Sequence, residues 1–294
     1  MSADGSIIVG RAYEPTGEVT SFLWREPTGF SYVDICDEGI HDVGGPESVD
    51  NTGAVVGSTV VDSFDPDWWM LATRWTSFAG IQLLGVFPDA SIHRDVARAV
   101  SSDGAVIVGE ATYNEAFDSN TIVWDHTVAF RWTTASGLVS LGFLPGGSWS
   151  RATDVSANGV VVVGLAESAI SDHGEAFRWS GRIGMAGLGK PSGAYGSRAN
   201  SISGDAAFIV GEANFSTGYY DRAMIWDAAH GCRLLRPLLE SVPSLSAALN
   251  GWNLREAVGV ASNASYVFIA GNGTNPAGNA EGWRVRLPRG LVTQ

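Results

Sequence analysis

Short apolar runs ending in glycine punctuate the chain: Ile7-Ile8-Val9-Gly10, Val55-Val56-Gly57, Val106-Ile107-Val108-Gly109, Val161-Val162-Val163-Gly164, Phe208-Ile209-Val210-Gly211 and Phe268-Ile269-Ala270-Gly271. The closing glycines lie 47, 52, 55, 47 and 60 residues apart, a period that suits one propeller blade per repeat. A polar cluster precedes each of the first five runs, as in Asn51-Thr52-Gly53, Ser102-Asp103-Gly104, Ala157-Asn158-Gly159 and Ser203-Gly204-Asp205. Asn-Gly and Asp-Gly supply the positive φ that a two-residue hairpin needs. The apolar segment before the turn (Ala97-Arg98-Ala99-Val100, for example) and the run after it therefore predict an antiparallel hairpin, strands A and B.

A third element carries Trp at a fixed slot, at Trp24, Trp75, Trp132, Trp179, Trp226 and Trp283, and predicts strand C. A weaker segment such as Gly137-Leu138-Val139-Ser140 predicts strand D. Only the stretch from about Leu238 to Leu249 suggests a helical turn. Four short strands per repeat leave open edges and one apolar face, which radial stacking of blades covers. A parallel β-helix would not need a hairpin turn in every repeat. The pattern thus predicts an all-β, six-bladed β-propeller, one domain over 1–294, with repeats of about 1–45, 46–95, 96–150, 151–197, 198–252 and 253–294. The repeated-slot Trp side chains are expected in the packing between blades.

Composition narrows the partners. With 18 Lys+Arg against 31 Asp+Glu, the net charge of −13 repels phosphate backbones, so nucleic acid is not an expected partner. No apolar run reaches membrane-spanning length. Cys36 and Cys232 fall in non-neighbouring repeats, so both are expected as free thiols.

Ala129-Phe130-Arg131-Trp132, Ala176-Phe177-Arg178-Trp179, the link Leu141-Gly142-Phe143-Leu144-Pro145-Gly146-Gly147 and the segment Asn250-Gly251-Trp252-Asn253-Leu254-Arg255-Glu256-Ala257 resemble the HAF-type extracellular repeat family. The similarity runs over essentially the whole chain. Repeat 2 departs most, with Met70-Leu71-Ala72-Thr73 where Phe is expected. The resemblance implies an exported or surface protein, often one module of a longer chain, and no established catalytic residues. Repeat 1 begins at its A–B turn, and Gly290-Leu291-Val292-Thr293 is similar to the start of a strand D, which suits a module cut from something longer.

Residues that the repeat does not require mark the expected site. In an up-and-down blade, B–C loops and D–A connections emerge on one face. Trp68, Trp69, Tyr113 and Trp124 fall on or beside B–C loops, and His93, Arg94 and Trp149 on D–A connections, so these seven are the candidate ligand-binding residues. Trp252 belongs to the family-like terminal segment and is expected to be structural. Long, aromatic, irregular loops on a rigid scaffold are common places for function.

Chemistry is weaker. Asp62, Asp65 and Asp67 could hold Ca²⁺ but lack EF-hand spacing, and no short His spacing suggests zinc. No metal or cofactor is expected. Asp125-His126, and Asp172-His173 beside Glu175, could serve acid–base roles, and Asp67 with Glu115 could form a glycosidase-like pair. The expectation is a non-catalytic module for a polar small molecule or glycan, with an enzyme acting on a glycan or small molecule through the same loops as the alternative.

Overall fold

The computed structural model describes residues 1–13, 19–33, 45–61, 69–87, 93–113, 126–215 and 221–293. Within these residues, six antiparallel sheets follow one another along the chain. The first has three strands, β1 (Ile7–Tyr13), β2 (Val19–Arg25) and β3 (Gly29–Tyr32). The second comprises β4 (Gly45–Val49), β5 (Val55–Val61), β6 (Trp69–Thr76) and β7 (Gly80–Leu83), and the third β8 (Val96–Val100), β9 (Ile107–Tyr113), β10 (His126–Thr133) and β11 (Gly137–Ser140). The fourth holds β12 (Ser150–Val155), β13 (Val161–Ser168), β14 (Ser171–Ser180) and β15 (Gly184–Gly187). The fifth is β16 (Gly196–Ile202), β17 (Ile209–Asn214), β18 (Asp221–Asp227) and β19 (Gly231–Leu234), followed by α1 (Leu235–Glu240) and α2 (Pro243–Ala248). The sixth is β20 (Asn253–Ser262), β21 (Tyr266–Thr274) and β22 (Ala280–Pro288). These are the blades of a six-bladed β-propeller, as the repeat predicts. The chain divides into two compact units, Met1–Gly142 with Trp149–Gly159, and Phe143–Ser148 with Val160–Gln294.

The repeated glycine has a steric cause. A Cβ at Gly109 would collide with the carbonyl oxygen of Val96, and one at Gly211 with that of Arg198. In both blades the first strand carries a register irregularity just beyond that carbonyl, between Ala97 and Ala99 and between Ala199 and Ser201. The bulged strand presses its backbone onto the second strand, and only glycine leaves room.

The A–B turns are longer than the two-residue hairpins expected. Ser101 donates its N–H to Val106 O at 2.9 Å, closing a loop over 102–105. The Ser101 hydroxyl donates to Asp103 Oδ1 at 2.6 Å and accepts the Val106 N–H at 3.0 Å. Ser2 with Asp4 and Ser203 with Asp205 repeat this network. The Asp and Ser side chains thus cap the wider loop, a job that a two-residue turn would not require.

In the first unit, Phe130, Ile107, Val56 and Ala72 are fully buried together with Trp132. In the second, Phe208, Val210, Ile225, Ile269 and Leu287 form a core that α1 completes with Leu235 and Leu239. Burial of each large side chain contributes roughly 1.5–3 kcal/mol. Among the repeated-slot Trp residues, Trp132 is buried, whereas Trp24, Trp75, Trp179, Trp226 and Trp283 are half-buried. Phe130 and Phe177, two positions earlier on the same strand face, take the deepest places. Trp252 packs on the second unit's core, as expected of a structural residue.

The tail departs from expectation. Arg289–Val292 forms one helical turn, α3, instead of a strand D. Val292 is buried in the same core as Leu235, and its carbonyl accepts a hydrogen bond from Arg233, so burial of this apolar residue outweighs strand pairing. Among the described residues, no helix is long and apolar enough to cross a membrane.

Candidate functional site

Trp69 opens β6, is 40% exposed, and its ring centroid lies 4.6 Å edge-on from the His93 ring. The contact follows from backbone pairing: Met70 donates its N–H to His93 O at 2.9 Å, and Asp95 donates to Met70 O at 2.7 Å. Arg94, between them, is exposed. Two of the expected site residues from distant sequence positions therefore meet. Trp149 is half-buried, with the Arg151 guanidinium 5.8 Å from its ring centre. Tyr113 ends β9, but its side chain lies outside the described residues, as do Trp68 and Trp124 entirely. The candidate acidic residues Asp62, Asp65, Asp67, Glu115 and Asp125, together with Cys36, also lie outside them, as do the side chains of His126 and Asp172.

The remaining described candidate groups make contacts within the fold. Buried Glu175 accepts the Gly189 N–H at 2.9 Å, and exposed His173 lies edge-on to Tyr195. Cys232 is a free thiol donating to Met224 Sδ at 3.4 Å, and burial pushes its pKa up to about 12. Among the described residues, no group of three or more His, Cys, Asp or Glu is placed to hold a metal ion.

A cavity of about 470 Å³ opens instead in the second unit, over strands β17, β18, β20, β21 and β22. Glu212, Asp221, Glu256 and Glu281 line it, with Arg255 and Asn272 as donors. Asn272 Nδ2 donates to Glu256 Oε1 at 2.9 Å, and Asn275 Nδ2 to Glu281 Oε2 at 2.7 Å. Burial, then the charge of Asp221, and then that of Glu256 raise Glu212 to about 7, with Arg198 and Arg255 pulling the other way.

The repeat shows how unusual this is. Glu212 follows the strand-B glycine of its blade, as Glu110 follows Gly109. Glu110 is neutralised by Arg98 and by Arg151, whose Nε sits 3.0 Å from Glu110 Oε2. Arg151 follows Ser150 as Arg198 follows Ser197, and Arg198 pairs in register with Glu212. In the sixth blade the same register position, opposite Asn272, is Glu256. Glu212 therefore faces a carboxylate from the slot that supplies arginine to Glu110. Comparing the repeats at that slot would have exposed the change; attention to loops and aromatic residues passes over it, because every lining residue sits on a strand.

No family model matches the chain, and no curated protein matches it in sequence. Among solved structures it is similar to TolB from Acinetobacter baumannii, with a TM-score of 0.52 and 11% identity, covering 96% of this chain and 63% of that one. It is also similar to a chain from a structural and mechanistic study of two prolyl endopeptidases, with a TM-score of 0.50 and 11% identity, covering 97% of this chain and 50% of that one. At such identity the likeness is one of fold alone.

Proposed function

We propose that this propeller is a non-catalytic ligand-binding module whose acidic cleft takes a small, hydroxyl-rich ligand such as a glycan. The observation that carries this reading is Glu256 beside Glu212, where the equivalent Glu110 is neutralised by Arg151. Two carboxyls turned on one another weaken a scaffold, and like charges in one site drive one of them to hold its proton. Such an arrangement suits a cleft that an incoming ligand completes. Sugar hydroxyls both donate and accept, matching the carboxylates on one side and Arg255 and Asn272 on the other. The exposed Trp69 ring beside His93 offers a second surface of the aromatic kind that sugars stack on. Resemblance to HAF-type repeats favours an exported or surface location.

A second reading has its own support. Glu212 holds its proton to about pH 7 beside Asp221 and Glu256, whose charges help to keep it there. One protonated and one ionised carboxyl is the pairing that glycoside cleavage requires. A glycan-array screen of the intact chain, run beside a hydrolysis assay, separates the two. Binding of a defined glycan class without turnover, lost in Glu256→Arg, is the expected result. Product release that Glu212→Gln abolishes supports the enzyme instead, and retention of glycans by Glu256→Arg equal to wild type overturns the cleft as the site.

A further inference from the structure

Asp95 occupies a slot that serine fills in the next two blades. It lies six residues before Ser101, as Ser150 precedes Ser156 and Ser197 precedes Ser203. Ser150 Oγ accepts the Ala129 N–H at 2.9 Å and donates to Gly142 O at 2.7 Å. Ser197 Oγ does the same with Ala176 N–H at 3.0 Å and Gly189 O at 2.7 Å. A hydroxyl can make both bonds because it is donor and acceptor at once; an ionised carboxylate only accepts, whereas a protonated carboxyl does both.

The Asp95 side chain is 1% exposed, and among the described residues neither oxygen has a hydrogen-bond partner of full geometry. His93 is a titratable neighbour, with Nδ1 4.0 Å from Oδ2, and its own burial lowers its pKa. Charged residues on strands packed against β8 are Glu47, Arg74, Glu110, Arg151 and Asp154. Of these, Glu47 and Glu110 are taken up by Arg98, and Glu110 also by Arg151. Arg94 is the charged neighbour on Asp95's own segment.

We propose that Asp95 is a proton-operated latch. Its neutral carboxyl keeps the His93–Asp95 segment docked along Met70, and ionisation loosens that segment together with the Trp69–His93 surface it supports. Burial raises the Asp95 pKa to about 7, with the Thr112 backbone N–H pulling only partly back. A folded pKa above the unfolded one means that the docked state binds the extra proton. Docking is therefore fully favoured below about pH 4, and weakens as the pH climbs to about 7. Acid tightens the latch.

Hydrogen exchange followed by mass spectrometry across pH 4–9, corrected for intrinsic rates, reads the amides of Met70 and Asp95. The opening of these two sites is expected to rise by up to about tenfold per pH unit between about 4 and 7, then level off. Asp95→Ser and the neutral isostere Asp95→Asn are both expected to flatten that rise, and His93→Gln to keep it. A flat wild-type profile overturns the latch. So does a slope that survives in both Asp95 variants, or one that vanishes only in His93→Gln, which would assign the proton to the imidazole.

Discussion

Arg151 at the start of the fourth blade reaches Glu110 on the third, with Nε 3.0 Å from Oε2. Glu256, in the corresponding place on the sixth blade, meets Glu212 with the opposite sign of charge. Changing Glu256 to Arg recreates the pairing of the third blade within the cleft. The variant is expected to gain about 1 kcal/mol, the upper range for a partly exposed pair, while losing the glycan binding proposed for the cleft. Denaturant melts beside a binding titration check it; a destabilised variant would mean that the slot correspondence is wrong.

Stability should depend on pH in an unusual direction. Asp95 and Glu212 are both raised to about 7, so each contributes stability below its unfolded value near 4 that is lost on the way to pH 7. Asp4, lowered to about 2 by hydrogen bonds from Ser2 and Ser6, works in the opposite sense and is lost only as the pH falls through that value. The melting temperature is expected to peak near pH 4–5 and to decline toward 7. The double variant Asp95→Ser, Glu212→Gln should remove most of the decline; a decline that persists in it assigns the effect to other groups.

Ser150 joins the third and fourth blades by accepting the Ala129 N–H and donating to Gly142 O, with its own side chain fully buried. Ser150→Ala deletes both bonds and leaves two backbone groups without that partner. The expected loss is about 1–3 kcal/mol, read from the midpoint of a denaturant titration at constant slope. Ser150→Asp should reproduce the situation at Asp95 and make the loss pH-dependent.

The sequence carried the blade plan because its glycines are fixed by sterics: Val96 O and Arg198 O leave no room for a Cβ at Gly109 and Gly211. It carried less of the turns, because a hydroxyl accepting an N–H five residues ahead, as Ser101 does for Val106, is not visible as a residue pair. The tail misled for a related reason. Leu291 and Val292 suit a strand or a single helical turn equally, and the core that holds Leu235 decides. Of the expected site, the contact between Trp69 and His93 was reachable from loop topology, since B–C and D–A segments share a face. The acidic cleft was not, because it arises from register across β17, β20 and β21, where each carboxylate alone reads as a solvated strand position.

The fifth blade's turn offers the most direct test of the repeat geometry. In Ser101-Ser102-Asp103-Gly104 the residue after Asp is glycine, at φ 72°, and Gly5 and Gly159 take the same place at φ 77° and 69°. In Ser203-Gly204-Asp205-Ala206 the glycine comes two positions early, and the left-handed conformation falls on Ala206 at φ 58°. The turn still forms, because Asp205 is held by Ser203, the Ala207 N–H, Ser262 and Arg289. An alanine in that region costs roughly 1–2 kcal/mol relative to ordinary backbone, and glycine removes the cost while adding freedom to the unfolded chain. Ala206→Gly is therefore expected to stabilise the protein by about 0.5–1 kcal/mol, a gain that substitution to glycine rarely brings. Moving the glycine by the double change Gly204→Ser, Ala206→Gly should add to it, since position 204 then matches Ser102 and no longer weakens the turn through unfolded-state entropy. Equilibrium denaturation of the two variants reads both steps, and a loss of stability in the single variant would show that Ala206 does not carry the strained conformation.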